Sequence, residues 1–177
     1  MSLESNSVLT RLNHYDARLC VRINRIGRKR WVQRGFSIIS RLGDGVFWYT
    51  LMALLLASHG QAAIRPVLHM IAVGLIGLAL YKWLKKKTLR PRPCDLHPAI
   101  LRGTEPLDEF SFPSGHTLHA VGFAVVALAY FPWLAPLVVP FALLVAISRV
   151  VLGLHYPTDV LAGAALGYSI AALSLLI

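Results

Sequence analysis

Five long apolar segments, joined by connections too short to hold polar subdomains, constrain this chain more than any other feature. They run from about residue 36 or 45 to 58, then over 64–83, 113–131, 135–152 and 158–177. Most approach the roughly 17 to 25 residues that cross a hydrocarbon core at about 1.5 Å per residue. Arg41 and Asp44 blur the start of the first segment. A soluble bundle of buried helices would need an outer polar surface, and connections such as 59–63 and 131–136 leave no room for one. The expected fold is therefore all-α, a polytopic transmembrane helical bundle of about five spans. Gly74, Gly77, Gly122, Gly163 and Gly167 fall inside the spans, where small residues let helices approach closely.

Charge matters here by position. The chain carries 56% hydrophobic and 15% charged residues, against about 25% charged in an ordinary soluble domain. Its net charge is +10, yet nine of eighteen Lys and Arg residues precede position 42 and seven more lie in 82–102. That clustering beside apolar segments forms no basic stripe on a polar domain, which argues against nucleic acid as a partner. The two cysteines, Cys20 and Cys94, have no metal-ligand spacing and make no disulfide framework. Residues 1–10 are polar and lead to no apolar core, so no signal peptide is expected.

Residues 1–35 read as a separate basic amino-terminal region, and 36–177 as the membrane domain. Tyr15, Leu19, Ile23 and Ile26 share one helical face, with Arg11, Arg18, Arg22, Arg25 and Arg28 around it. That pattern suits an amphipathic helix at the headgroup level. The alternative is a helix packed against the bundle.

Three separated blocks share one chemical theme. The first is Lys85 with Arg92-Pro93, the second Pro113-Ser114-Gly115-His116, and the third Ser148-Arg149 followed by His155 and Asp159. The topology brings all three to one membrane face, where ionised groups cost less than at the bilayer centre. Lys85, Arg92 and Arg149 supply cations, and guanidinium groups bind oxyanions through paired hydrogen bonds. Pro113 suits the first turn of a helix whose free N–H groups, near Ser114 and Gly115, would face an oxyanion. His155 and Asp159 are one helical turn apart, so the carboxylate would hold one imidazole nitrogen while the other attacks phosphorus. His116, at an opposing helix start, suits protonation of the departing oxygen. Lys86, Lys87, Arg90 and Arg102 read as routine juxtamembrane charge.

At these residues the chain resembles the type-2 phosphatidic acid phosphatase superfamily. Lys85 with six residues before Arg92-Pro93, Pro113 to His116, and Ser148-Arg149 spaced to His155 and Asp159 carry the likeness, over roughly 36–175. The resemblance implies metal-independent, cofactor-free phosphoryl transfer through phosphohistidine. It implies His155 as nucleophile, Asp159 as its orienting partner and His116 as leaving-group acid. Lys85, Arg92, Ser114, Gly115 and Arg149 are then the phosphate ligands. Many members have six spans, and the first 35 residues here lack the extra one. The implied partner is a phosphorylated membrane lipid, with undecaprenyl diphosphate the leading candidate in a bacterial inner membrane. Phosphatidic acid and phosphatidylglycerol phosphate compete with it. A lipid phosphotransferase and a non-catalytic phospholipid binder or transporter are the other readings. The resemblance places the site on the extracytoplasmic side, whereas basic residues flanking five spans favour the cytoplasmic side.

Overall fold

The computed structural model describes residues 3–177, with side chains from residue 13 onward. Eight helices follow in chain order: α1 (Leu3–Asn24), α2 (Arg30–Arg41), α3 (Phe47–His59), α4 (Ile64–Thr88), the single turn α5 (Pro93–Leu96), α6 (Gly115–Tyr130), α7 (Ala135–Val151) and α8 (Pro157–Ser174). No strand occurs among the described residues.

Local chemistry sets the helix ends around the future site. Leu89 ends α4 in the left-handed conformation, φ 48°, and its N–H donates to Lys85 O. Ser114 caps α6 by accepting from Thr117 N. Pro157 opens α8, where its missing N–H costs nothing, and Asp159 completes the cap by accepting from Tyr156 N at 2.9 Å.

Helix α6 is the centre of the bundle and packs against α4, α7 and α8. Its contact with α8 is backbone-close. A Cβ on Gly163 would lie 2.4 Å from Ser114 O, and one on Gly167 would lie 2.2 Å from Leu118 O. Only glycine admits such an approach. Trp48, Met70, Phe123, Val126, Val138 and Val145 fill the core, and Trp48 and Phe123 reach from it to the cavity at the site.

The outside is apolar as well. Leu54, Leu75, Leu143, Ile147, Leu161 and Leu173 are all exposed on four different helices. A soluble bundle would not present that surface to water; hydrocarbon accepts it. The stretches Arg30–Leu96 and Pro132–Val151 are long and apolar enough to cross a membrane, and Gly115–Tyr130 is a shorter apolar helix. The protein is an integral membrane protein. The blurred start of the first apolar segment has a structural cause. A turn of π-helix, Leu42–Val46, separates α2 from α3, with Gly45 at φ 135°.

Helix α1 buries a different face from the apolar one read in the sequence. Asp16, Cys20, Asn24 and, just beyond it, Gly27 point inward, whereas Tyr15 and Ile26 are exposed. Asn24 explains part of this rotation. Its amide donates to Leu101 O and Val151 O, both at 2.9 Å, and accepts from Leu101 N at 2.9 Å. The helix thus grips the bundle through polar groups as well as through Ala17, Val21 and Ile23, and leaves Tyr15 and Ile26 outward.

Candidate active site

A cavity of about 270 Å³ lies where the carboxyl ends of α4 and α7 meet the amino end of α6 and the loop before α8. Lys85, Arg92, Gly115, His116, Arg149 and His155 all line it. Its other wall is apolar and comes from α3 and α4, including Trp48, Met52, Ile71, Leu75 and Leu78. Polar and apolar parts therefore share one continuous space.

The three cations differ in how they are compensated. Lys85 Nζ and Arg92 Nη2 both donate to the same oxygen of Asp108, at 2.6 and 2.7 Å. Lys85 also donates to Phe110 O at 2.7 Å, and Arg92 to Asp108 O and Leu154 O. Burial by itself would raise the Asp108 carboxyl, but Lys85 and Arg92 outweigh it and hold the group below its ordinary range. Arg149 is 2% exposed and its Nη1 donates to Ser40 Oγ, while its Nε finds no partner among the described residues. No carboxylate among the described residues pairs with Arg149. A buried guanidinium so placed favours an anion strongly.

His155 is almost fully buried, in the turn between α7 and α8. Its Nε2 lies 3.4 Å from Arg92 Nη1. Because a guanidinium can only donate, that nitrogen is best unprotonated. Nδ1 then carries the proton, and Asp159 Oδ2 lies 3.7 Å from it. That separation exceeds a hydrogen bond, and Nδ1 has no partner in this arrangement. Burial first, then Arg149, Arg92 and Lys85, keep the imidazole well below its ordinary pKa. His155 is thus neutral with a free lone pair beside the cations.

Asp159 has a stronger partner than His155. Its Oδ1 accepts from Arg90 at 2.6 Å, and Arg90 also donates to Asp16 at 2.8 Å and to Thr158 Oγ1 at 2.9 Å. Asp16 in turn accepts from Thr158 N at 3.1 Å and from the Thr158 hydroxyl. The Arg90 guanidinium lies over the Tyr156 ring, 4.2 Å from its centre. Burial works against the Arg90 charge, and Asp159 and Asp16 overcome it. Arg90, set aside in the sequence as juxtamembrane charge, therefore holds the carboxylate behind His155.

The second block divides its work. His116 lines the cavity, with Nε2 hydrogen-bonded to Asp44 Oδ1. Gly115 also lines it, where a Cβ would come within 3.2 Å of the Tyr81 ring. Ser114 sits deeper, fully buried and away from the cavity lining. Its Oγ lies 2.9 Å from Thr117 Oγ1, and its N–H donates to Asp159 O at 3.0 Å. In this arrangement Ser114 fixes the start of α6 onto the start of α8.

Sequence reasoning missed Asp16, Asp44, Arg90 and Asp108. For the three carboxylates the signal was scarcity. The chain has eight Asp and Glu residues, and Asp44 stands between two glycines at the mouth of an apolar segment while Asp16 stands among arginines.

A buried cation cluster, a neutral histidine with its lone pair free, and a second histidine across the same cavity suit transfer of a phosphoryl group. The PAP2 superfamily model matches residues 64–177. The chain belongs to the PAP2 superfamily. Decaprenylphosphoryl-5-phosphoribose phosphatase of Mycobacterium tuberculosis is 32% identical over 137 residues, covering 76% of this chain and 74% of that protein. Undecaprenyl-diphosphatase of Sulfolobus acidocaldarius is 35% identical over 138 residues, covering 77% and 66%. A crystal structure of a transmembrane PAP2-type phosphatidylglycerolphosphate phosphatase from Bacillus subtilis superposes with a TM-score of 0.75 at 28% identity, covering 93% of this chain and 84% of that one. As a PAP2 superfamily member with relatives of this kind, the chain is a phosphatase.

Proposed function

We propose that this PAP2 superfamily phosphatase hydrolyses a membrane lipid phosphate, foremost undecaprenyl diphosphate, through a phosphohistidine on His155 and without a metal ion. Arg149 carries this reading, since a buried cation with no carboxylate partner among the described residues favours an anion in the cavity it lines. The apolar wall from α3 and α4 favours a lipid over a soluble phosphate ester.

The reaction follows from the atoms. Lys85, Arg92 and Arg149 hold the phosphoryl oxygens, joined by the N–H groups at the start of α6 around Gly115. His155 Nε2 attacks phosphorus, and the electrons of the breaking P–O bond pass to the leaving oxygen. His116 protonates that oxygen. Asp159 stabilises the Nδ1–H of the phosphohistidine once the ring moves the short distance that now separates them. Water then attacks phosphorus, His116 takes its proton, and inorganic phosphate leaves as the P–N electrons return to Nε2. Fixed donors opposing charge at the transition state supply most of such an acceleration.

The same reading takes residues 36–177 as a five-span membrane domain with 1–35 as a basic surface region. It puts the protein in a bacterial inner membrane with the cavity on the extracytoplasmic side. Phosphatidylglycerol phosphate is the second substrate reading, favoured by the likeness to the Bacillus subtilis structure.

The test is phosphate release by purified protein from lipid mono- and diphosphates in detergent and liposomes, alongside His155→Ala and a chelator control. Turnover confined to wild type and indifferent to chelator is expected, fastest on undecaprenyl diphosphate. Lipid binding without turnover would replace the enzyme reading with a binding one.

A further inference from the structure

The turn between α2 and α3 places a carboxylate on the histidine that faces the nucleophile. We propose that Asp44 is a positioning residue for His116, holding its Nε2–H so that Nδ1 delivers the proton to the leaving group. The inference rests on the reading of His116 as the leaving-group acid.

Three observations carry it. First, Asp44 Oδ1 is hydrogen-bonded to His116 Nε2, and His116 is the only described side chain that pairs with Asp44. The ring therefore offers its other nitrogen, and Nδ1 makes no hydrogen bond to any described residue. Second, both residues line the cavity that holds Lys85, Arg92 and Arg149. Those cations oppose a positive ring, and a carboxylate in contact with it favours the protonated form that an acid needs. Third, the backbone is shaped to bring that carboxylate there. Gly45 has φ 135°, open only to glycine, and a Cβ on Gly43 would sit 3.0 Å from Val145 Cγ2 on α7. The two glycines allow the π-turn to press against α7 and lift Asp44 over the cavity.

The division of labour is balanced in protons and electrons. In the first step the Nδ1–H proton passes to the bridging oxygen as its bond to phosphorus breaks, leaving neutral His116 with its Nε2–H still on Asp44. In the second step Nδ1 takes a proton from the attacking water. Asp44 itself touches neither substrate nor phosphorus.

Leaving-group dependence separates this role from a merely structural one. An alkoxide must be protonated as it departs, whereas a nitrophenolate needs little help. With phosphatidic acid as probe, Asp44→Asn should lower kcat about 10- to 100-fold, within the range general acids contribute. KM should change little. With p-nitrophenyl phosphate the same variant should keep the first step, read as the nitrophenolate burst, within about threefold of wild type, while steady turnover slows in the second step that His116 also serves. His116→Ala should show the same split, more deeply, and Asp44→Glu should recover part of the loss. Asp44→Ser repeats the comparison with a smaller side chain. Equal losses in phosphatidic acid turnover and in the nitrophenolate burst, or no loss in either, would overturn the inference while the His116→Ala split leaves the proposed function standing. If His116→Ala shows no split, the acid reading itself fails and the inference with it. Failure of both Asn and Ser variants to fold would mark Asp44 as structural and also overturn it. Wild-type protein inert on both probes and on the lipid mono- and diphosphates of the first test would sink the proposed function and this inference together.

Discussion

Arg149 concentrates the conflict between stability and function in one side chain. It is buried, carries one bonded nitrogen to Ser40 and leaves Nε without a partner. Replacing even a buried ion pair by apolar side chains of similar volume is often neutral or stabilising by about 1 to 4 kcal/mol, and Arg149 lacks a paired carboxylate among the described residues to lose. Arg149→Met should therefore raise the melting temperature in detergent, while kcat/KM falls about 100- to 1,000-fold through loss of a transition-state donor. Thermal melts and kinetics on the same preparation check both halves. Orthovanadate at saturating concentration should stabilise wild type by mass action and should fail to stabilise Arg149→Met. His155 makes a second prediction at this scale. Its pKa is depressed in the folded chain, so between that value and the ordinary one near 6.5 the unfolded chain binds more protons. Stability then rises with pH across that window and is lost as pH falls through it. Melting temperatures measured between about pH 7 and pH 5 should decline, and His155→Gln should flatten the decline.

At the scale of elements, the amino-terminal helix matters more than its basic composition suggests. Asp16 reaches from α1 to Arg90 and Thr158, and Arg90 reaches on to Asp159. Asp16→Ala should destabilise the protein by about 3 kcal/mol, at the lower end for a broken buried pair because Arg90 keeps Asp159. It should also lower kcat with KM nearly unchanged, since the phosphate ligands stay in place; Asp16→Glu should partly restore turnover. The α6–α8 seam gives the complementary case. Gly167→Ala puts a methyl within 2.2 Å of a backbone oxygen, which should cost at the upper end of about 1 to 3 kcal/mol, read in a chemical or thermal melt. The sequence made some of this legible and hid the rest for identifiable reasons. Apolar length and the glycines announced the helices and where they touch. The spacing of Lys85, Arg92, His116, Arg149 and His155 announced residues that the fold does gather around one cavity. The carboxylate partners were not legible, because no periodicity encodes them. Asp16 depends on a helix rotation set by Asn24, Asp44 on a kink between two helices, and Asp108 on the path of the loop between α5 and α6. Ser114 shows the converse, a residue read as a phosphate ligand that lies in the α6–α8 contact, outside the cavity lining.

Across the whole molecule, the cavity is a junction of helix ends, and its contents are supplied by parts of the chain far apart in sequence. Lys85 and His155 are separated by seventy positions, and Asp108 meets Lys85 across a loop. That loop gives the resting protein a counterion of its own. A tethered carboxylate competes for Lys85 and Arg92 at the effective concentration set by its loop, in the millimolar range for short flexible tethers. On the proposed reading, inorganic phosphate in the cavity, product included, competes with that carboxylate for the two cations. Re-forming the Asp108 contact should then favour release of the product. Asp108→Asn should bind phosphate more tightly and release it more slowly, visible as a lower inhibition constant for phosphate and a burst before steady turnover.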